Sequence, residues 1–226
     1  MIMGRDIIMA PSLLSSDFSR LAEEVKALDA AGCEYVHFDC MDGHFTEQVT
    51  YGPMVAKALR PYTDRVFDCH LMFTNPEKHL EYFAEAGADN ILFHYEVTDE
   101  PEVLLQRIRQ LGCRAGLVLN PDTPVAVVEP LLELCDTVMI MGVYVGYSGQ
   151  SYIPETTQRI AELRAMIDGG GHDTLIEHDG GLNEQTAEEI ARAGTDIFVS
   201  GSFLFKCPDG YGAAVRFLRE LAARVA

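Results

Sequence analysis

Short runs of apolar and β-branched residues alternate along the whole chain with longer stretches in which apolar positions recur at helical spacing. The runs Ile7–Pro11, Tyr35–Asp39, Arg65–His70, Asn90–His94, Arg114–Leu119, Thr137–Met141, Thr174–Asp179 and Ile197–Ser200 read as strands, each followed by a turn and an amphipathic stretch. Helix punctuation agrees: Ser16 or Asp17 stands as a cap before Phe18–Ala31, Asn75 precedes Pro76, and Asn183 precedes Glu184. Gly32, Gly87 and Gly194 fall just past helix ends and lead into the next strand. No Pro/Ser-rich linker or charge block divides the chain, so the pattern predicts one domain over residues 1–226. Eight strand–helix units favour a single (βα)8 TIM barrel over an open doubly wound sheet, both being α/β arrangements. In a barrel, functional groups gather at the carboxyl ends of the strands.

Polar residues are found at those ends. Side chains two apart in a strand project together, so His37 and Asp39 share a face, and both are expected to enter the barrel mouth. His70 and Asp179 occupy the ends of two other strands. Two imidazoles and two carboxylates suit one divalent metal, Zn, Mn, Fe or Co, without choosing among them. A set of satisfied, buried hydrogen-bonding groups is the other reading of the same four residues. Later in the chain, glycine-rich turns follow three successive strands: Gly146-Tyr147-Ser148-Gly149, Gly180-Gly181 and Gly201-Ser202. Each alone is an ordinary tight turn. Together, near the last strands of a barrel, they suggest backbone N–H groups arranged around a phosphate. A metal and a phosphate pocket on one face imply a small phosphorylated substrate and proton transfer beside a polarised carbonyl.

Charge narrows the partners. With 35 acidic against 17 basic residues the formal charge is −18, a field that repels nucleic acid and anionic membranes. It repels a sugar phosphate as well, so such a substrate has to be held by local backbone groups or a metal. No apolar run reaches the roughly 18 residues of a membrane span. Six cysteines without CxxC spacing, and no signal-like amino terminus, point to buried thiols in a reducing cytoplasm.

Several motifs carry a closer resemblance: Ala10-Pro11-Ser12-Leu13-Leu14-Ser15-Ser16-Asp17, the stretch from His37 to Phe45 with Met41-Asp42-Gly43, His70-Leu71-Met72, Leu119-Asn120-Pro121, Gly149-Gln150, Asp179-Gly180-Gly181 and Gly201-Ser202. Over nearly the whole chain, to about Phe205, the sequence resembles the ribulose-phosphate 3-epimerases. The resemblance implies a TIM barrel of the ribulose-phosphate-binding type and 3-epimerisation of a phosphorylated ketose, D-ribulose 5-phosphate to D-xylulose 5-phosphate, through a metal-stabilised enediolate. It further implies that His37, Asp39, His70 and Asp179 ligate one divalent ion, with Asp39 and Asp179 also acting as the acid/base pair. Ser12 and His70 would contact substrate, Met41, Met72 and Met141 would wall the planar intermediate, and Gly180, Gly181, Gly201 and Ser202 would hold the phosphate with help from Gly146, Tyr147, Ser148 and Gly149. A homo-oligomer is implied too.

The chain departs from the family at the pocket rim. Tyr144–Gln150 replaces a loop that usually reads Asn-Pro-Gly-Phe-Gly-Gly-Gln, and Thr46-Glu47-Gln48 replaces Val-Pro-Asn, with Glu47 expected on solvated surface. His178 stands where the family usually has Val and is predicted to point away from the mouth. These changes leave the proton-transfer groups in place and make substrate size the open variable, with a sister epimerase of a hexulose such as D-allulose 6-phosphate as the alternative. Related metal-free decarboxylases and lyases need an Asp-x-Lys-x-x-Asp run, and Met41 occupies the Lys position. A non-catalytic sugar-phosphate sensor predicts loss of one of the four polar residues, and all four are present.

Overall fold

In a computed structural model that describes residues 7–147 and 149–225, eight strands form one parallel sheet: β1 (Ile8–Pro11), β2 (Tyr35–Met41), β3 (Val66–Met72), β4 (Asn90–His94), β5 (Arg114–Leu119), β6 (Thr137–Met141), β7 (Leu175–Asp179) and β8 (Ile197–Ser200). Neighbours in sequence are neighbours in space, and β1 pairs with β8. Between β1 and β2 the ring is joined by the bridge of Ser12 to His37. The expected (βα)8 TIM barrel is the fold.

Period-two alternation sorts the strand residues into two environments. Val36, Phe38, Phe67, Cys69, Ile91, Phe93, Leu117, Ile140, Ile176 and Phe198 face outward into the main core under the helices. The inward positions hold a smaller apolar group, including Tyr35, Leu92, Val118, Met139, Ile197 and Val199. At Gly116 the inner wall has no room for a side chain, because an added Cβ would lie 2.5 Å from Leu92 Cγ. The outer ring comprises α1 (Leu21–Ala30), α2 (Pro53–Leu59), α3 (Leu80–Glu85), α4 (Pro101–Gln110), a 3-10 segment Val125–Leu134, α5 (Glu155–Gly170), α6 (Ala187–Ala193), α7 (Ser202–Phe205) and α8 (Tyr211–Ala223). Pro130 lies inside Val125–Leu134, where it removes an amide donor that an α-helix would use. None of the described helices is long and apolar enough to cross a membrane. All six cysteines are free, and five are buried.

The strand edges differ from the pattern by a residue or two. Thr174 stays outside β7 because its hydroxyl donates to the carbonyls of Leu132 and Cys135. The helix expected over Phe18–Ala31 is two pieces: Asp17 caps a 3-10 turn, Phe18–Arg20, and Arg20, at φ −138°, breaks the path before α1 begins. Asn183 accepts from the amides of Gln185 and Thr186, so it organises the turn before α6 rather than its first residue.

His178 does point away from the mouth. It is fully buried on the outer face of β7, edge-on to Tyr152 at 5.7 Å between ring centroids. Neither ring nitrogen has a well-aligned hydrogen-bond partner, and burial lowers its pKa to about 4. An unfolded chain takes up this proton near pH 6.5 and the folded one only near 4, so the stability this histidine contributes is complete above 6.5 and is lost as pH falls toward 4. His178→Val is therefore expected to reduce the stability lost between pH 8 and pH 5 by about 2 kcal/mol. Urea midpoints of both proteins at the two pH values measure this; identical acid sensitivity would remove His178 as its source.

Candidate active site

The polar residues of the inner wall stack in register. His37 lies beside Asp68, Asp39 beside His70, and Met41 beside Met72 along β2 and β3. Across the barrel, Met141 of β6 lies beside Asp179 of β7. A pocket of about 270 Å³ opens above this layer and is lined by Ser12, Asp39, Met41, Met72, Met141, Gly146, Tyr147, Gly149, Asp179, Gly180, Gly181, Gly201 and Ser202, among others. Ser148 lies outside the described residues. His37 and His70, both expected to reach the mouth, are fully buried and are not among the residues that line the pocket.

One ligand atom from each of His37, Asp39, His70 and Asp179 lies within 4.8 Å of every other. His37 Nε2 is 3.3 Å from Asp39 Oδ1, His70 Nδ1 is 3.2 Å from the same oxygen, and His70 Nδ1 is 4.0 Å from Asp179 Oδ2. The Ser12 hydroxyl donates to Asp39 Oδ2. Thr50 fixes the strand backbone here, its hydroxyl donating to the Asp39 carbonyl at 2.7 Å and accepting from the Met41 amide at 2.9 Å.

The four groups perturb one another. Burial opposes charge on all four groups. At Asp39 the neighbouring imidazoles prevail and hold the carboxyl well below its usual range. At Asp179 burial and the Asp39 charge act together and raise the pKa to about 7. His37 is pushed well above its ordinary value because Asp39 and Asp68 outweigh its burial, whereas burial prevails at His70 and lowers it. His37 Nε2 has no hydrogen-bond partner although it is completely enclosed. Two nitrogens, one of them unpartnered, and two carboxylate oxygens within 4.8 Å of one another match the ligand preferences of a divalent transition metal.

Five residues that sequence reasoning passed over support this layer. Asp68 Oδ2 lies 2.6 Å from His37 Nδ1, and Asn90 donates to Asp68 Oδ1 at 2.5 Å. Glu177 sits 3.5 Å from His37 Nδ1, and burial beside Asp68 pushes its carboxyl well above its usual range. His94 Nε2 lies 2.8 Å from His70 Nε2, and Glu96 lies 3.3 Å from His94 Nδ1. The signal was available for three of them: Asp68, Glu177 and His94 stand at even spacing from His70, Asp179 and the inward Leu92.

The glycine turns after β6, β7 and β8 all line the pocket. Gly180 and Gly181 have φ of +105° and +74°, and an added Cβ would lie 2.6 Å from Val143 Cγ2 and 2.7 Å from Tyr152 Cβ respectively. Gly201 precedes α7, where a Cβ would lie 2.8 Å from Ser15 Oγ. No Lys or Arg is among the residues lining the pocket. At the rim, the Tyr144 hydroxyl donates to Asp122 at 2.9 Å, and Gln150 Nε2 donates to the carbonyls of Tyr144 and Tyr147. Glu47 is exposed but partnered, since the Tyr147 hydroxyl donates to it at 3.3 Å and joins the loop after β6 to the loop after β2.

The ribulose-phosphate 3 epimerase family matches residues 8–205. The chain belongs to this family. Among its relatives, ribulose-phosphate 3-epimerase of Synechocystis sp. is 46% identical over 220 residues, covering 96% of this chain and 95% of that protein. The Escherichia coli (strain K12) ribulose-phosphate 3-epimerase is 41% identical over 222 residues, 98% of each chain. The chain is thus an epimerase, an isomerase class that inverts one stereocentre. Solved structures with the same fold include KGPDC from Streptococcus mutans, with TM-score 0.71, 14% identity and coverage of 97% of this chain and 98% of that one. Orotidine 5'-phosphate decarboxylase from Pyrococcus horikoshii OT3 aligns with TM-score 0.67 and 14% identity, over 95% of this chain and 99% of its own. At that identity the likeness concerns the barrel alone.

Proposed function

We propose that this enzyme interconverts D-ribulose 5-phosphate and D-xylulose 5-phosphate by proton transfer at carbon 3. The observation that carries the reading is the pair Asp39 and Asp179. Two carboxylates meet on the pocket floor, one held ionised and the other pushed to about 7, and such a divergence separates a base from an acid. One aspartate takes the carbon 3 proton; the other returns a proton to the opposite face, so configuration inverts without redox chemistry. Ser12, bonded to Asp39, orients that carboxylate. Met41, Met72 and Met141 line the floor with polarizable apolar surface suited to a planar enediolate, and they limit the water that could protonate it wrongly.

His37, Asp39, His70 and Asp179 would hold one divalent ion, Zn, Mn, Fe or Co. When bound, it would supply a Lewis acid that stabilises negative charge on the oxygens at carbons 2 and 3. The phosphate rests on the backbone of Gly180, Gly181, Gly201 and Ser202. That placement answers the net charge of −18: in a pocket without Lys or Arg, backbone N–H groups attract the dianion locally where the overall field repels it.

The altered loop Tyr144–Gln150 gives the alternative substrate, a longer ketose phosphate such as D-allulose 6-phosphate, its basis. The Tyr147 hydroxyl donates to Glu47 across the rim and ties the two altered loops together, and a mouth narrowed there would favour the shorter pentulose. Coupled assays of metal-loaded enzyme are expected to show kcat/KM for ribulose 5-phosphate at least about tenfold above that for allulose 6-phosphate, a difference on the order of 1.4 kcal/mol. The reverse preference would assign the hexulose. Activity on neither would refute the reading.

A further inference from the structure

His94 and Glu96 lie outside the four-residue cluster, yet they are tied to it. His70 has one nitrogen, Nδ1, toward Asp39 and Asp179, and the other, Nε2, 2.8 Å from His94 Nε2. Two imidazole nitrogens at that distance require one to donate and one to accept. The direction is set from the far end. Glu96 Oε1 accepts from the Asn120 amide at 3.0 Å and from the Thr123 hydroxyl. Its other oxygen, Oε2, faces His94 Nδ1 at 3.3 Å, so this nitrogen carries the hydrogen. A neutral His94 then offers a lone pair at Nε2 and His70 must donate from its own Nε2; a neutral His70 ring so held keeps a lone pair on Nδ1, the nitrogen 3.2 Å from Asp39 Oδ1.

The line is anchored at its outer end. Arg159 donates to the carbonyls of Asn120 and Thr123 at 2.8 and 2.9 Å, fixing the turn whose donors hold Glu96. Phe45 and His70 pack against His94 at centroid distances of 4.7 and 5.0 Å, and His94 is fully buried. The His94 ring is closed to solvent, so the hydrogen-bond order at its two nitrogens is set by Glu96 on one side and His70 on the other.

We propose that His94 and Glu96 are a positioning pair that holds His70 in the Nε2–H tautomer, with its Nδ1 lone pair aimed at His37, Asp39 and Asp179. The proposal rests on the metal reading above and extends it to residues that touch neither ion nor substrate. Without the pair, His70 could turn an N–H toward Asp39 instead, an arrangement that binds the carboxylate but no cation. His37 is held the opposite way, with Asp68 at its Nδ1 and Nε2 turned inward. The two imidazoles therefore present different nitrogens to one point, each oriented by its own carboxylate.

Co(II) titration of the full-length apo-protein, followed by visible absorption, tests the pair with a readout independent of turnover. Wild type is expected to bind one equivalent. His94→Phe, which keeps the aromatic packing but removes the acceptor, should weaken Co(II) affinity by about 10–100-fold. His94→Gln, whose amide oxygen can accept from His70, should recover affinity to within about threefold of wild type. Wild-type affinity in His94→Phe, or equal weakness in both variants, would overturn the proposal. A wild-type protein that binds no Co(II) would instead refute the metal reading itself. Long-range 15N–1H spectra of the Zn(II)-loaded wild type give a second measurement that needs no variant. They should show His70 protonated at Nε2 and His94 at Nδ1, and a proton on His70 Nδ1 would also overturn the proposal.

Discussion

Asp179→Asn is expected to lower kcat by about a thousandfold, the middle of the range for loss of one acid/base group, while the barrel remains folded. The same substitution should act on stability in a direction set by the metal. Asp179 titrates near 7 in the folded chain against 3.8 ordinarily, because burial and the Asp39 charge disfavour its ionised form. The unfolded chain releases that proton near pH 4 and the folded chain near 7, so this group's contribution is complete below about 4 and is lost as pH rises to 7. Asn cannot ionise. The chelator-treated variant at pH 8 should therefore melt above the chelator-treated wild type, whereas with metal present the variant, short of one ligand, should gain less. Steady-state kinetics and melts with and without chelator measure both effects; a near-wild-type rate would sink the acid/base assignment.

Removing the metal is expected to have the second-largest effect. Chelation should lower kcat/KM by at least about a hundredfold, and Zn(II), Mn(II), Fe(II) or Co(II) should restore it to differing extents. Binding only to the folded state adds about 2.7 kcal/mol at a metal concentration one hundred times Kd, which in a chain of this length raises Tm by roughly 5–10 °C. The unpartnered His37 Nε2 and the mutual repulsion of Asp39 and Asp179 are the reasons to expect a gain of that size. Elemental analysis confirming metal loss, with activity and Tm both unmoved, would exclude a role for the ion.

The barrel was legible because its cause is local and repeated. Every strand buries both faces, so each reads as a short apolar run. The helix between each pair has to cover the outer face, which imposes helical periodicity at regular intervals. Alternation also placed His37 and Asp39 on one face and turned His178 outward, since a period of two leaves no other choice. The glycine turns after the last strands marked the place where backbone approaches the pocket.

The supporting layer was less legible. Asp68 and Glu177 obey the same alternation, but a carboxylate in the middle of a strand declares no partner until the neighbouring strand is in register: Asp68 finds its role only because β3 pairs with β2 at His37. Glu47 and Tyr147 are one hundred positions apart, and no local property of either loop indicates that they meet.

The sequence by itself determined the strand–helix order, the inward and outward faces, the family and the four residues that converge at the pocket. These follow from spacing along one segment or from motifs read directly in the chain. Tertiary structure alone decided which nitrogen each histidine presents, that Asp179 rather than Asp39 is the carboxyl pushed toward neutrality, and that His94 and Glu96 stand behind His70. Those are properties of distance and burial between segments. Hydrogen-bond direction and pKa depend on which groups share a water-free space, and only the closed barrel brings them together.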